Sequence, residues 1–273
     1  MIPLYNDPNK NYENQSFPDY IENKDHPFFE VKCSIRDNSN KFSSTDTYER
    51  FQLNLLKRPN DWHYRTKEIV YNINNSGYRT QEWNDIDWKE SIVILGCSCT
   101  YGVGLAEDET ISHNVEKLTG RPTINLGVPG ISNQAIVQNL SILINNFPTP
   151  YAVIINWTGP DRFRYFFNDM IYDGGAWDLN NTSLHNGLDF RDLYLKNCHK
   201  ESNIVVMNYF NSSIAKSIVK DKSKYINFSF FSTSASYTKS EIFFPYAATS
   251  RDLIHPGRES AIQVSKYIKQ RLG

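Results

Sequence analysis

Three short strand-like segments constrain this chain more than any other feature: SIVILG at Ser91–Gly96, PTINLG at Pro122–Gly127 and YAVIINW at Tyr151–Trp157. In SIVILG the apolar side chains stand at consecutive positions and end in a glycine, as in a strand buried on both faces. Helical stripes stand between and after them. Ile111, Val115 and Leu118 form one. Ile136, Leu140, Leu143 and Phe147 form another, with Ser132 placed to cap its start. A fourth strand is expected at NIVVMN, Asn203–Asn208, with a helix after it, and a fifth at YINFSF, Tyr225–Phe230. The last helix should cover Arg258 to Leu272, with Ala261, Val264, Ile268 and Leu272 on one face. Strand–helix alternation of this length implies a parallel sheet covered on both faces. The expected fold is α/β: a flavodoxin-like three-layer α/β/α domain with a five-stranded parallel sheet over residues 91–273. Ligands of such sheets bind at the carboxyl ends of the strands.

Residues 1–90 read differently and are expected to form an N-terminal extension packed on that core. Residues 1–26 hold Pro, Asn, Asp and aromatics without periodicity, as in an extended arm. Thr45–Leu56 has helical spacing, Glu68–Ile73 reads as a short strand, and NNSGYRT reads as a turn. No internal repeat is visible. Hydrophobic residues make up 40% of the chain and aromatics 14%, enough for a packed core. Lys and Arg number 29 against 30 Asp and Glu, a balance that gives no reason to expect nucleic acid or an anionic membrane as partner. No run approaches the roughly 20 apolar residues of a membrane span, and no secretory signal is apparent at the start. The cysteines, Cys33, Cys97, Cys99 and Cys198, show no zinc spacing, so free thiols, no metal and no cofactor are expected.

Chemistry concentrates in three loops. GCSCTYGVG, Gly96–Gly104, follows the first strand and holds Ser98 at the rim of the sheet. By itself it describes an ordinary turn serine. SRDLIHPG, Ser250–Gly257, precedes the last helix and carries Asp252 and His255 three residues apart. A serine hydroxyl is a poor nucleophile until a base takes its proton. Histidine does that near neutrality, and a carboxylate fixes its tautomer. NLGVPGISN, Asn125–Asn133, follows the second strand and offers the unshielded N–H of Gly130 to a developing oxyanion.

Taken together, these loops resemble the blocks of the SGNH (GDSL) hydrolase family in order and approximate spacing, from Gly96 to His255. The resemblance covers residues 91–273, about two thirds of the chain. It implies Ser98 as nucleophile, His255 as base, Asp252 as its partner, and the Ser98 and Gly130 amides as oxyanion donors. Family members are esterases, lipases, thioesterases, carbohydrate deacetylases and some acyltransferases, and need no metal. The implied substrate is a small ester or an acylated glycan, with an O-acetyl group as one candidate; oligomeric state is left open. Two blocks depart from the pattern. Cys97 stands where the family has Asp, and the third strand ends in NWTGPDR, Asn156–Arg162, without the Gly-x-Asn-Asp that supplies a side-chain oxyanion donor. Thr158 falls near that position, its hydroxyl either the third donor or a turn cap. WTGPDRF and NSGYR are similar to a variant block of SGNH-like proteins encoded by phages and some bacteria. That likeness implies a cytoplasmic or virion-associated protein, and keeps open a weakly active or inactive binding or virion structural role on the same fold.

Three more residues are substrate-binding candidates: Arg79 in the NSGYRT turn, Asn156 at the end of the third strand and Arg162 just beyond it. The aromatic segment Arg162–Leu179 reads equally as a wall over the bound acyl group or sugar and as a packing hairpin or subunit contact. Cys99 reads as a small core residue rather than a thiol nucleophile. His26, His63, His113, His185 and His199 lack a partner pattern and read as structural.

Overall fold

The computed structural model describes residues 39–167, 170–175 and 201–273. The expected arm, Cys33, Cys198, His26, His185, His199 and residues 176–179 of the aromatic segment lie outside the described residues.

The chain enters through helix α1 (Tyr48–Lys57), capped by the Thr47 hydroxyl, which accepts from Arg50 N at 3.2 Å. Strand β1 (Ile92–Gly96) leads into the one-turn helix α2 (Ser98–Tyr101), then α3 (Ile111–Thr119), β2 (Thr123–Gly127), α4 (Asn133–Asn146) and β3 (Ala152–Trp157). An antiparallel hairpin follows, β4 (Phe163–Phe167) and β5 (Met170–Gly174), with Phe163 opposite Gly174. The described chain resumes with α5 (Glu201–Val219), β6 (Lys224–Ser229), α6 (Ser232–Tyr237), β7 (Ile242–Phe243) and α7 (Arg258–Leu272). Ser132 caps α4, accepting from Ala135 N at 3.3 Å, a contact worth about 1 kcal/mol.

The five-stranded sheet runs β2-β1-β3-β6-β7, all parallel. Every residue of β1 and β3 is buried, as continuous apolar runs require. The order also explains the layers. From β1 the chain steps outward to β2, then returns past β1 to β3, and right-handed crossovers put helices of opposite steps on opposite faces. Accordingly α3 packs against α7, and α4 against α5. The reversal lies between β1 and β3, which makes the carboxyl ends of those strands the crevice of the sheet.

Two expected strands are corrected. Asn203–Asn208 belongs to α5. The buried face of that helix is Asn208, Asn211, Ser212, Ala215 and Val219, spaced at three and four, while Val206, Tyr209, Phe210 and Ile214 face outward. Most of its large apolar residues therefore do not mark its buried face, and the short run mimicked a strand. The fourth strand is the one expected as the fifth, and the fifth is the two-residue β7. Glu68–Ile73 does alternate, with Ile69 and Tyr71 buried, but it pairs with no strand among the described residues. Tyr64, Ile69, Tyr71, Tyr78, Ile86 and Trp88 join one hydrophobic cluster with the sheet. No helix among the described residues is long and apolar enough to cross a membrane.

Candidate active site

Ser98 is the first residue of α2, immediately beyond β1 and at the crevice. Close packing forces the position. A Cβ added to Gly127 would lie 2.3 Å from Tyr101 N, so α2 rests directly on the end of β2 only because glycine is there. Gly102 ends the turn in the left-handed region, φ 81°, its N–H donating to Ser98 O at 3.0 Å. The Asn125 side chain locks the same corner, donating to Thr100 O at 3.0 Å and accepting from Gly127 N at 2.9 Å.

The loop before α7 brings the other two residues to it. His255 Nε2 lies 2.8 Å from Ser98 Oγ, and His255 Nδ1 lies 2.7 Å from Asp252 Oδ2. These are hydrogen-bond distances on both sides of one imidazole, in a site where Ser98, Asp252 and His255 are all buried. Asp252 Oδ1 accepts from Ser250 Oγ at 2.8 Å, Ile254 N at 3.0 Å and His255 N at 3.1 Å. Oδ2 accepts from Thr45 Oγ1 at 2.6 Å as well as facing the imidazole. Burial pushes the Asp252 carboxyl up, but the hydrogen bond and charge of His255, the Thr45 hydroxyl and the Ile254 N–H outweigh it and hold the group well below the usual carboxylate range. The arrangement suits a proton relay: an ionised acid, an oriented imidazole and a hydroxyl it can deprotonate.

The opposite wall is barer. Neither the Ser98 N–H nor the Gly130 N–H has a hydrogen-bond partner among the described residues, and Gly130 sits at φ 85° with open space where a Cβ would be. Thr158 does not join them as a third donor. Its Oγ1 is fully enclosed and makes no regular hydrogen bond with any described group, although its dipole acts on the Cys97 thiol. A hydroxyl with no accessible surface offers nothing to a ligand. Asn156 is withdrawn likewise: it is buried, and its amide donates to Thr100 Oγ1 at 3.0 Å beneath the nucleophile turn.

Arg79 is also corrected, from ligand-binding to framework. It is buried, and its five N–H groups meet Glu107 Oε2 at 2.9 Å and the carbonyls of Gly102 at 2.9 Å, Leu105 at 3.0 Å, Tyr101 at 3.3 Å and Val70 at 3.5 Å. Those bonds clamp the segment behind Ser98 and leave no donor for a substrate. Arg162 is half-buried, donates to Ile131 O at 3.3 Å, and lies close enough to act on Cys97 and Tyr246 electrostatically. Cys97 and Cys99 are buried free thiols, with Cys99 Sγ 3.8 Å from Tyr246 Oη. His63 faces Glu109 at 2.5 Å, away from the relay. Among the described residues, no group of three or more His, Cys, Asp or Glu could hold a metal ion.

Sequence reading missed the residues that hold the acid loop. Arg251 forks onto Asp46, with Nε 2.9 Å from Oδ1 and Nη2 2.7 Å from Oδ2. Tyr71 Oη donates to Asp46 Oδ2 at 2.7 Å and accepts from Gly104 N at 2.7 Å. Thr45 and Asp252 are 207 positions apart, and no local pattern marks such a pair.

No protein-family model matches the sequence, and no curated protein matches it. Solved structures similar to it include a carbohydrate esterase family 2 enzyme with a carbohydrate-binding domain from Corynascus thermopiles (Myceliophthora fergusii), 12% identical over 67% of this chain and 65% of that one, TM-score 0.42. Another is an acetyl xylan esterase from the rumen bacterium Butyrivibrio proteoclasticus, 13% identical over 68% of this chain and 63% of that one, TM-score 0.40. A third is a member of the lipolytic protein G-D-S-L family from Veillonella parvula, 9% identical over 65% of this chain and 94% of that one, TM-score 0.33. The first two are matched over less than two thirds of their own length. Likenesses of this size say nothing of substrate.

Proposed function

We propose that this chain is a serine hydrolase of the SGNH type that cleaves an ester through an acyl-enzyme. The observation that carries the reading is the unbroken relay, Ser98 Oγ to His255 Nε2 at 2.8 Å and His255 Nδ1 to Asp252 Oδ2 at 2.7 Å. Ser98 Oγ attacks the ester carbonyl as its proton passes to His255 Nε2. Asp252 stays ionised and stabilises the imidazolium. The tetrahedral oxyanion takes the N–H groups of Ser98 and Gly130. As the C–O bond to the alcohol breaks, His255 returns the proton to the departing oxygen. Water then enters, gives its proton to His255, and the acid leaves as Ser98 recovers its hydrogen.

The nearly complete burial of Ser98 favours a short acyl group over a long chain. An acetyl ester, such as an O-acetyl on a glycan, fits that restriction. A folded chain that reacts with a fluorophosphonate probe at Ser98, and hydrolyses acetate esters faster than octanoate esters, supports the proposal. A folded chain that takes up no probe overturns it. The enclosure of Thr158 favours one rival, a weakly active or non-catalytic binding protein on the same fold, and an inert Ser98 is the outcome that reading requires.

A further inference from the structure

We infer that Thr45, on the segment before the sheet-bearing part of the chain, is a positioning residue of the relay, and that residues 41–46 brace the acid loop in working geometry. The inference rests on the serine-hydrolase reading and extends its machinery beyond the three residues that react.

Thr45 supplies the single hydrogen bond to the Asp252 carboxylate, among the described residues, from outside the 250–255 loop. It lands on Oδ2, the oxygen that faces His255 Nδ1. The three donors on Oδ1 hold one side of the carboxylate. Thr45 holds the other and fixes the direction in which Oδ2 presents itself to the imidazole. A β-branched side chain suits the task because its χ1 is restricted.

The backbone delivers that hydroxyl through an unfavourable conformation. Ser43 and Asp46 exchange backbone hydrogen bonds, each 3.0 Å, around a two-residue turn. Ser44 stands in the left-handed region at φ 56°, which is strained for a non-glycine residue. The turn is pinned at its far end by the buried Asp46–Arg251 pair. The Arg251 guanidinium also donates to the Lys41 carbonyl and lies 4.7 Å from the Phe42 ring centroid and 5.1 Å from that of Phe51. Asn54 Nδ2 holds the Arg251 carbonyl at 2.8 Å. Arg251 is the residue before Asp252, so the anchor and the hydroxyl act on adjacent positions of one loop.

The test compares the full chain with Thr45→Val, which keeps the shape and removes the donor, and Thr45→Ser, which keeps the donor. Acetate-ester turnover, fluorophosphonate labelling rate, thermal midpoint and the proton resonance of His255 Nδ1–H are measured on each. Loss of a charge-assisted hydrogen bond that orients the acid should lower kcat and the labelling rate of Thr45→Val about tenfold, with KM within about twofold. The His255 resonance should move, and Thr45→Ser should recover both. Wild-type kcat in Thr45→Val overturns the inference. So does a Ser variant as slow as the Val variant, a change confined to KM, or a loss that follows the fraction unfolded. An unmoved resonance overturns it even if turnover is slow. A folded wild-type chain inert to the probe instead overturns the serine-hydrolase reading, and with it any catalytic role for Thr45.

Discussion

The two sides of the site are furnished unequally. On the relay side, both oxygens of Asp252 are engaged, both imidazole nitrogens are at hydrogen-bond distance, and the loop beneath is anchored by a buried ion pair. On the side proposed for the oxyanion, the Ser98 and Gly130 N–H groups have no hydrogen-bond partner among the described residues, and the Thr158 hydroxyl is sealed away. The difference separates two jobs. Activating a nucleophile needs a proton acceptor of fixed tautomer, the part proposed for His255. Stabilising the charge that forms next needs donors aimed at the oxyanion, each worth on the order of 100- to 1000-fold in turnover. A site built this way should acylate at Ser98 yet turn over slowly for its class.

Removing the nucleophile breaks the comparison outright. Ser98→Ala should lower ester turnover by about 10⁴-fold or more and abolish fluorophosphonate labelling, while circular dichroism and the thermal midpoint stay at wild-type values. Retained turnover would move the chemistry to another residue. Asp252→Asn weakens only the relay and should cost about 10³- to 10⁴-fold, because an amide nitrogen opposite His255 Nδ1 favours the wrong tautomer. A loss below about tenfold in steady-state assays would show that the relay is not the stronger half.

The same carboxyl should leave a mark on stability. Its folded pKa is depressed, so its contribution is fully present above the unfolded value near about 4 and is lost as the pH falls through the folded one. Denaturant unfolding at pH 6 and pH 3 should show wild type losing more stability than Asp252→Asn over that interval. Equal losses would mean that the carboxyl is not held low. The smallest effect belongs to the bare side. Thr158→Val removes an enclosed hydroxyl with no regular partner, so turnover should stay within about twofold, and stability should be unchanged or rise by about 1 kcal/mol. A 100-fold loss would restore Thr158 as the third donor.

What the sequence revealed follows from how far apart the interacting residues lie. β1 and most of β3 were legible because strands buried on both faces write themselves as apolar runs, and β2 because Ile124 and Leu126 stand in a short segment ended by Gly127. The Asp252–His255 pair was legible because both residues share one short loop. α5 was misread because its inner face begins with Asn208, Asn211 and Ser212 while Val206, Tyr209, Phe210 and Ile214 point outward. β7 is two residues long and carries no periodicity. The position of Thr158 after β3 was legible, but position does not reveal whether a hydroxyl is enclosed. Arg79 looked like a free turn arginine because its carbonyl partners lie in segments brought to it only by folding. Thr45 and Asp46 gave no signal, since their partners lie more than 200 positions downstream.

The phenolic oxygen of Tyr71 limits how this molecule can be cut or transplanted. It joins Gly104 N–H to the Asp46 carboxylate, and Asp46 in turn holds Arg251. The segment that follows Ser98 and the loop that carries His255 are thus tied together through residues that precede β1. A fragment starting at Ser91 would keep all three reacting side chains yet leave a guanidinium without its counter-ion, a defect that typically costs about 3–5 kcal/mol while the site stays buried. Such a fragment would not carry the site intact. Anyone grafting this site onto another doubly wound sheet has to carry residues 41–79 with it.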